Sequence, residues 1–240
     1  MTPDPDSFHA LARSSPWRWT TLHLEHRSQF AGSCEAWVRR PGELLVRDAD
    51  GRTHRESGLP YTSSMVAISS DGSVDHSPPE SVLPHLATPP LRPDGLVASR
   101  PSRWDVDYDD PMYATYSWVA MLDPVELSSH VAVSDLRTDR VAGRPVWRAD
   151  LRALPGYDPR CGGNCCELLY SEAGRVCDVD DPADAHVAPG TDHPDHYDVA
   201  LDLQTGVVVR CLPVGGDPDS PWLENDILEV DTDLDALFQR

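Results

Sequence analysis

Apolar positions in the N-terminal third of the chain recur every second residue. In "TTLHLEHRSQF", Leu22 and Leu24 fall on one side while Thr21, His23 and Glu25 fall on the other, the period of a half-buried strand. "CEAWVRR" and "ELLVRDA" follow, parted by the turn signal Pro41-Gly42. "DADG" at 48–51 marks another turn, where Gly51 can take a positive φ. "RTHRES" and "SSMVAISS" then predict two further short strands, so residues 17–70 read as an antiparallel meander. Ahead of it, "FHALARSSPWRW" starts with a few helical residues that Pro16 stops.

Residues 71–111 break the alternation. "DGSVDHSPPESVLPHLATPPLRPDG" is polar and proline-rich, and proline is excluded from central strands, so this stretch predicts a long covering loop. Helices are expected over 112–130. Met112, Tyr113, Tyr116, Val119, Met121 and Leu122 follow Pro111 at helical spacing, and Pro124 ends that helix and opens a shorter one at "PVELSSH". A second set of strands fills 131–240. "VAVSDLRTDRVAGRPVWRADLRAL" turns near Ala142-Gly143, and its second arm alternates Trp147, Ala149, Leu151 and Ala153 with Arg148, Asp150 and Arg152. "HYDVALDLQTGVVVRCL" is a hairpin around Thr205-Gly206, and "WLENDILEVDTDLDALF" supplies a last strand and a short tail. The class is α+β, mainly β, on one domain spanning residues 1–240.

Several stretches resemble the LolA-like superfamily, which includes the periplasmic lipoprotein carrier and the RseB-like sigma-factor regulators. "EAWVRRPGELLVRDADG" at 35–51 is similar to the early hairpin of that family, "MLDPVEL" at 121–127 to the helix before its second half, and "VAGRPVWRADLRALP" at 141–155 to a hairpin turning at "GR". "YDVALDLQTGVVVR" at 197–210 resembles its strand–turn–strand with D-x-x-T-G, and "DALF" at 235–238 its ending. The resemblance implies a strongly curved antiparallel sheet, an unclosed half-barrel, with helices covering the concave face. It also implies a non-enzymatic binding protein. Trp19, Leu22, Leu24, Trp37, Val38, Leu45, Trp147 and Leu151 are the candidates for that concave face. They either line a site for an apolar ligand between the sheet and the helix at 112–122, or pack under that helix and leave no cavity.

Charge narrows the partners. The chain has 240 residues and a formal net charge of −20, and all 20 basic residues are arginine. Residues 1–156 carry 21 acids and 16 arginines, and residues 157–240 carry 19 acids and 4 arginines, or −5 and −15. Nucleic acid and anionic membrane surfaces would be repelled. A basic protein surface or a cation fits this balance, as does plain solubility. The start "MTPDPDSFHALARSSPW" has acids and no apolar core segment, and no run approaches a membrane span, which predicts a cytoplasmic protein with reduced thiols.

Four of the 6 cysteines lie in "CGGNCCELLYSEAGRVC". Cys161, Cys165, Cys166 and Cys177 are candidate ligands for a structural zinc, with His186, His193 or His196 able to complete the set. Free thiols packing as small hydrophobes, a disulfide and a redox role are the competing readings. An acidic interaction module stabilised by zinc through the Cys161–Cys177 loop is therefore the second functional expectation.

No catalytic residue is assigned. G-x-S-x-G, Walker, G-x-G-x-x-G and H-E-x-x-H motifs are missing. "HPD" and "HYD" at 193–198 match half of an iron-binding triad, but His196 is the last histidine in the chain. "DVDYDDP" and "DTDLDALF" resemble calcium loops, yet the first lacks the glycine at its sixth position and the second runs out of chain.

Overall fold

The computed structural model describes residues 3–58, 67–68, 74–75, 82–102, 105–160, 166–175 and 192–239. Nine of its strands form one open antiparallel sheet. In chain order these are β1 (Thr21–Ser28), β2 (Gly32–Arg39), β3 (Glu43–Asp48) and β4 (Thr53–Ser57). A two-residue ribbon, β5 (Ala67–Ile68) with β6 (Val74–Asp75), stands apart from the sheet. The second set is β7 (Val131–Val141), β8 (Arg144–Ala153), β9 (His196–Asp202), β10 (Val208–Val214) and β11 (Leu223–Val230). The spatial order β4-β3-β2-β1-β11-β10-β9-β8-β7 joins the two halves where β1 pairs with β11. The sheet does not close, as expected of a half-barrel.

Period-two alternation explains which side is dry. Leu22 lies opposite Val38, Leu24 opposite Ala36 and Ile227, and Val38 opposite Leu44, so these side chains share one face. Trp147, Ala149 and Leu151 pair with Leu201, Val199 and Tyr197 in the same way. This face is covered by α1 (Pro5–Ala12) and α2 (Ser117–Leu122). The first contributes Phe8 and Leu11, the second Trp118, Met121 and Leu122, all essentially buried. Asp4 caps α1, accepting from the Ser7 N–H at 2.7 Å while the Ser7 hydroxyl accepts from the Asp4 N–H, which satisfies donors at the helix start. Leu127, Tyr157, Leu168 and Leu169 complete the cover.

The opposite face is a ladder of charge. Asp198 on β9 holds Arg148 on β8 and Arg210 on β10 at 2.6–2.7 Å, and Arg210 reaches Glu224 on β11 at 2.9 Å. Arg27 on β1 meets Asp226 at 3.3 Å, and Glu35 on β2 takes His23 at 2.9 Å and Arg47 of β3 at 3.0 Å. A wet side of this kind is what the alternation in each hairpin predicts.

Several expectations need correcting. Trp37 and Leu45 do not share the concave face with Trp19, Leu22, Leu24 and Val38. They form a separate cluster with Leu234 under α4 (Asp235–Phe238), because neighbouring strand residues such as Trp37 and Val38 must point opposite ways. The helix expected from Met112 starts only at Ser117. Ala114 takes a φ of 60°, which a right-handed helix cannot hold, and the aromatic residues ahead of it serve the core from a loop: Tyr113 meets Trp118 edge-on at 5.5 Å. Pro16 does not end α1, which closes at Ala12; it sits inside a 3-10 turn, Ser15–Trp17, near the start where a missing N–H costs nothing. Of the strand expected in "SSMVAISS", only Ala67 and Ile68 lie within the described residues, and they pair outside the main sheet. Pro124 does end α2, and a 3-10 turn, Val125–Ser128, follows it. A one-turn helix, α3 (Glu172–Arg175), was not foreseen.

Candidate functional site

The space between sheet and helices is filled. Leu22, Leu24, Val38 and Leu151 are fully buried, and Trp19 and Trp147 nearly so, against side chains of the chain itself. The gap beside Ser117, Leu168 and Cys211 measures about 10 Å³, the room of a single water at most. The concave face thus behaves as a core.

An open cleft of about 560 Å³ lies instead at the end of β1, beside the 3-10 turn that carries Trp17. One wall is Pro16–Thr20 with Arg40 and Pro41, the second is Leu83–His85, and the third is Asp107–Asp110. Trp17 is held in place by its indole N–H, which donates to the Pro84 carbonyl at 2.7 Å and the Ala87 carbonyl at 3.0 Å. Its ring meets Tyr108 edge-on at 5.7 Å. Trp19 donates to the Ser15 hydroxyl at 3.1 Å, and Ser15 in turn donates to the Leu122 carbonyl at the end of α2. Trp19 is thereby tied to the helical cover.

Buried ion pairs fix the acidic wall. Arg40 grips Asp110 through two hydrogen bonds at 2.7 and 2.8 Å. Arg160, its side chain 8% exposed, bonds Asp109 at 2.6 Å, the Tyr108 carbonyl at 3.1 Å and the fully buried Asp123. Arg100 forms the other half of the clamp on Asp123, with one bond of 2.9 Å, and lies 4.8 Å from the centre of the Tyr108 ring. Burial works against charge on Asp123, but Arg100 and Arg160 outweigh it and hold the carboxyl below its ordinary value. One ring of the cleft already holds a cation: Arg40, which also lines the cleft, stacks on Trp19 with 3.4 Å to the ring centre. Burial also pushes the Tyr108 hydroxyl up to about 12, so it remains a neutral donor, spent on the Pro101 carbonyl at 2.9 Å.

Asp107 differs from its neighbours. Asp109 and Asp110 each have an arginine, and Asp231 accepts from the Thr20 N–H at 2.7 Å and its hydroxyl at 3.0 Å. Asp107 accepts only the Asp109 N–H, at 3.1 Å, and among the described residues no cationic side chain reaches it. Its carboxyl is raised above the ordinary value chiefly by burial, with Asp109 and Asp110 adding to the rise against the pull of the Asp109 N–H and of Arg160.

Of the residues lining this cleft, the sequence marks only Trp19 as a ligand-binding candidate, and it places it on the concave face. Two signals were in view: the W-R-W run at 17–19, and "DVDYDDP", whose acids do come together but hold arginines and backbone N–H groups. The proposed zinc ligands Cys161, Cys165 and Cys177, and His186, lie outside the described residues. Cys166 is buried, and among the described residues no three metal-ligating side chains assemble. Cys211, also buried, donates its S–H to the Leu168 carbonyl at 3.2 Å. Among the described residues no helix is long and apolar enough to cross a membrane.

No protein-family model matches the chain, and no curated protein matches it. Among solved structures it is similar to MucB in complex with MucA(peri), at 14% identity and a TM-score of 0.30 over 96% of this chain and 56% of that one. MucB on its own gives 15% and 0.32 over 97% and 61%, so this chain spans under two thirds of the MucB chains. LprF from Mycobacterium bovis gives 11% and 0.34 over 98% of this chain and 97% of that one.

Proposed function

We propose that this chain is a non-enzymatic binding protein of the LolA- and RseB-like kind, and that it takes its ligand or protein partner in the cleft of Trp17, Trp19 and Tyr108. One observation carries the reading. The concave face, where an apolar ligand was expected, is filled by α1 and α2, while the aromatic cleft of about 560 Å³ stands open. Pockets of this size with aromatic walls and a few placed polar groups suit small ligands or an anchoring side chain. The D-x-x-T-G turn and the closing "DALF" helix, on which the resemblance rests, and the open nine-stranded sheet that it implies are consistent with this kind of protein.

Intrinsic fluorescence tests it. Titration with an uncharged apolar dye should give saturable change in tryptophan emission, and Tyr108→Ala should weaken uptake while leaving the unfolding temperature within a few degrees. Uptake indifferent to Tyr108→Ala, or no saturable uptake of any probe, would remove the cleft from consideration.

A further inference from the structure

The polar side of the cleft has a sign. The arginines in its walls are spoken for: Arg40 is neutralised by Asp110, and Arg18 turns its guanidinium to the carbonyls of Leu203 and Gln204 at 2.7 and 2.8 Å. Asp107 is left with one backbone N–H and no ion pair among the described residues, Arg160 acting on it only from beyond bonding distance. It shares the cleft with Trp17 and Tyr108, both partly open to solvent. Aromatic faces attract cations through their quadrupole, and this protein already uses the attraction, placing Arg100 near both rings.

Resting on the reading of the cleft as the binding site, we propose that it receives an arginine or lysine side chain from a basic polypeptide segment, with Asp107 as counter-charge. Charge complementarity selects this occupant. The whole chain carries −20, so a segment bearing several cations is drawn to it from a distance, whereas a lone organic ion gains much less from that field. An open cleft also admits a side chain still attached to its backbone.

The test uses the full chain and three probes: a capped peptide of alternating arginine and alanine, its citrulline counterpart of equal size without charge, and tetramethylammonium. The arginine peptide should bind saturably, and citrulline should weaken it by about tenfold. Asp107→Asn keeps the acceptor for the Asp109 N–H and should also weaken binding about tenfold at an unchanged unfolding temperature. Equal binding by Asp107→Asn overturns the proposal, because the peptide would then be held by diffuse charge. Tetramethylammonium binding as tightly as the peptide overturns the polypeptide occupant. Uptake of the uncharged dye without affinity for the arginine peptide overturns the cationic ligand and leaves the cleft standing; failure of both probes removes both.

Discussion

Arg40 lies flat on the Trp19 ring, 3.4 Å from its centre, while its guanidinium edge grips both oxygens of Asp110. One residue thereby joins the end of β2 to the aromatic wall and the acidic wall of the cleft. Its third bond, to the Ser15 carbonyl at 2.8 Å, adds the 3-10 turn.

Replacing Arg40 should therefore damage stability and cleft together. Arg40→Lys keeps the charge but loses the planar stack and the two-pronged bond, and should cost about 1–2 kcal/mol. Arg40→Gln leaves Asp110, only 3% exposed, without its cation and should cost about 3 kcal/mol or more. Urea unfolding of the three proteins measures both steps, and equal midpoints for all would contradict the tie.

Acid should weaken the fold in two stages. His26 is buried on the core face, its Nδ1 within 2.7 Å of the Asn225 side-chain oxygen, and burial, only partly offset by that bond, lowers its pKa to about 4. The unfolded chain takes up the proton near the ordinary value of 6.5 while the folded one refuses it, so stability falls as pH drops from there to about 4. The full effect is on the order of 3 kcal/mol. Asp123 works lower down: its carboxyl is held below 3.8, so its contribution persists above that pH and is lost beneath it. Unfolding free energy measured against pH should show both slopes, and His26→Gln should reduce the upper one while leaving the lower, because burial also lowers His9 and His193 and they carry the remainder.

The turn between β9 and β10 explains why its sequence is so regular. Asp202 is fully buried and its Oδ1 accepts from the N–H groups of Gln204 and Thr205 and from the Thr205 hydroxyl, while Arg144 bonds both carboxyl oxygens. Gly206 has a φ of 74°, and a Cβ there would come within 2.8 Å of the Leu11 carbonyl of α1. Gly206→Ala should destabilise by about 2 kcal/mol or more, through strain and displacement of α1. Thermal unfolding checks the loss, and an unchanged midpoint would show that α1 can shift freely.

Alternation made the strands legible. β1 to β4, the turn at Ala142-Gly143 and the hairpin at Thr205-Gly206 all stand where the two-residue period and the turn residues predict, because one dry face per strand leaves a direct trace in sequence. The helix expected at 112–122 is shorter, since Met112, Tyr113 and Tyr116 have helical spacing but pack against the core from a loop that bends at Ala114, Tyr116 buried and the other two partly so. The concave-face residues mixed two faces, because Trp37 and Leu45 are as apolar as Val38. The cleft was least legible. Its walls come from residues 16–20, 40–41, 83–85, 107–110 and 231, and no local pattern says that these meet.

The charge ladder on the outer face has a consequence for how the sheet is read by its own chain. Asp198 sits between Arg148 and Arg210 on neighbouring strands. Sliding β9 by one residue would carry Asp198 toward the dry side and bring Val199 or Tyr197 out among arginines, an error penalised on both surfaces at once. The arginines and carboxylates thus act as a key for alignment, making the correct register distinguishable from its nearest mistakes.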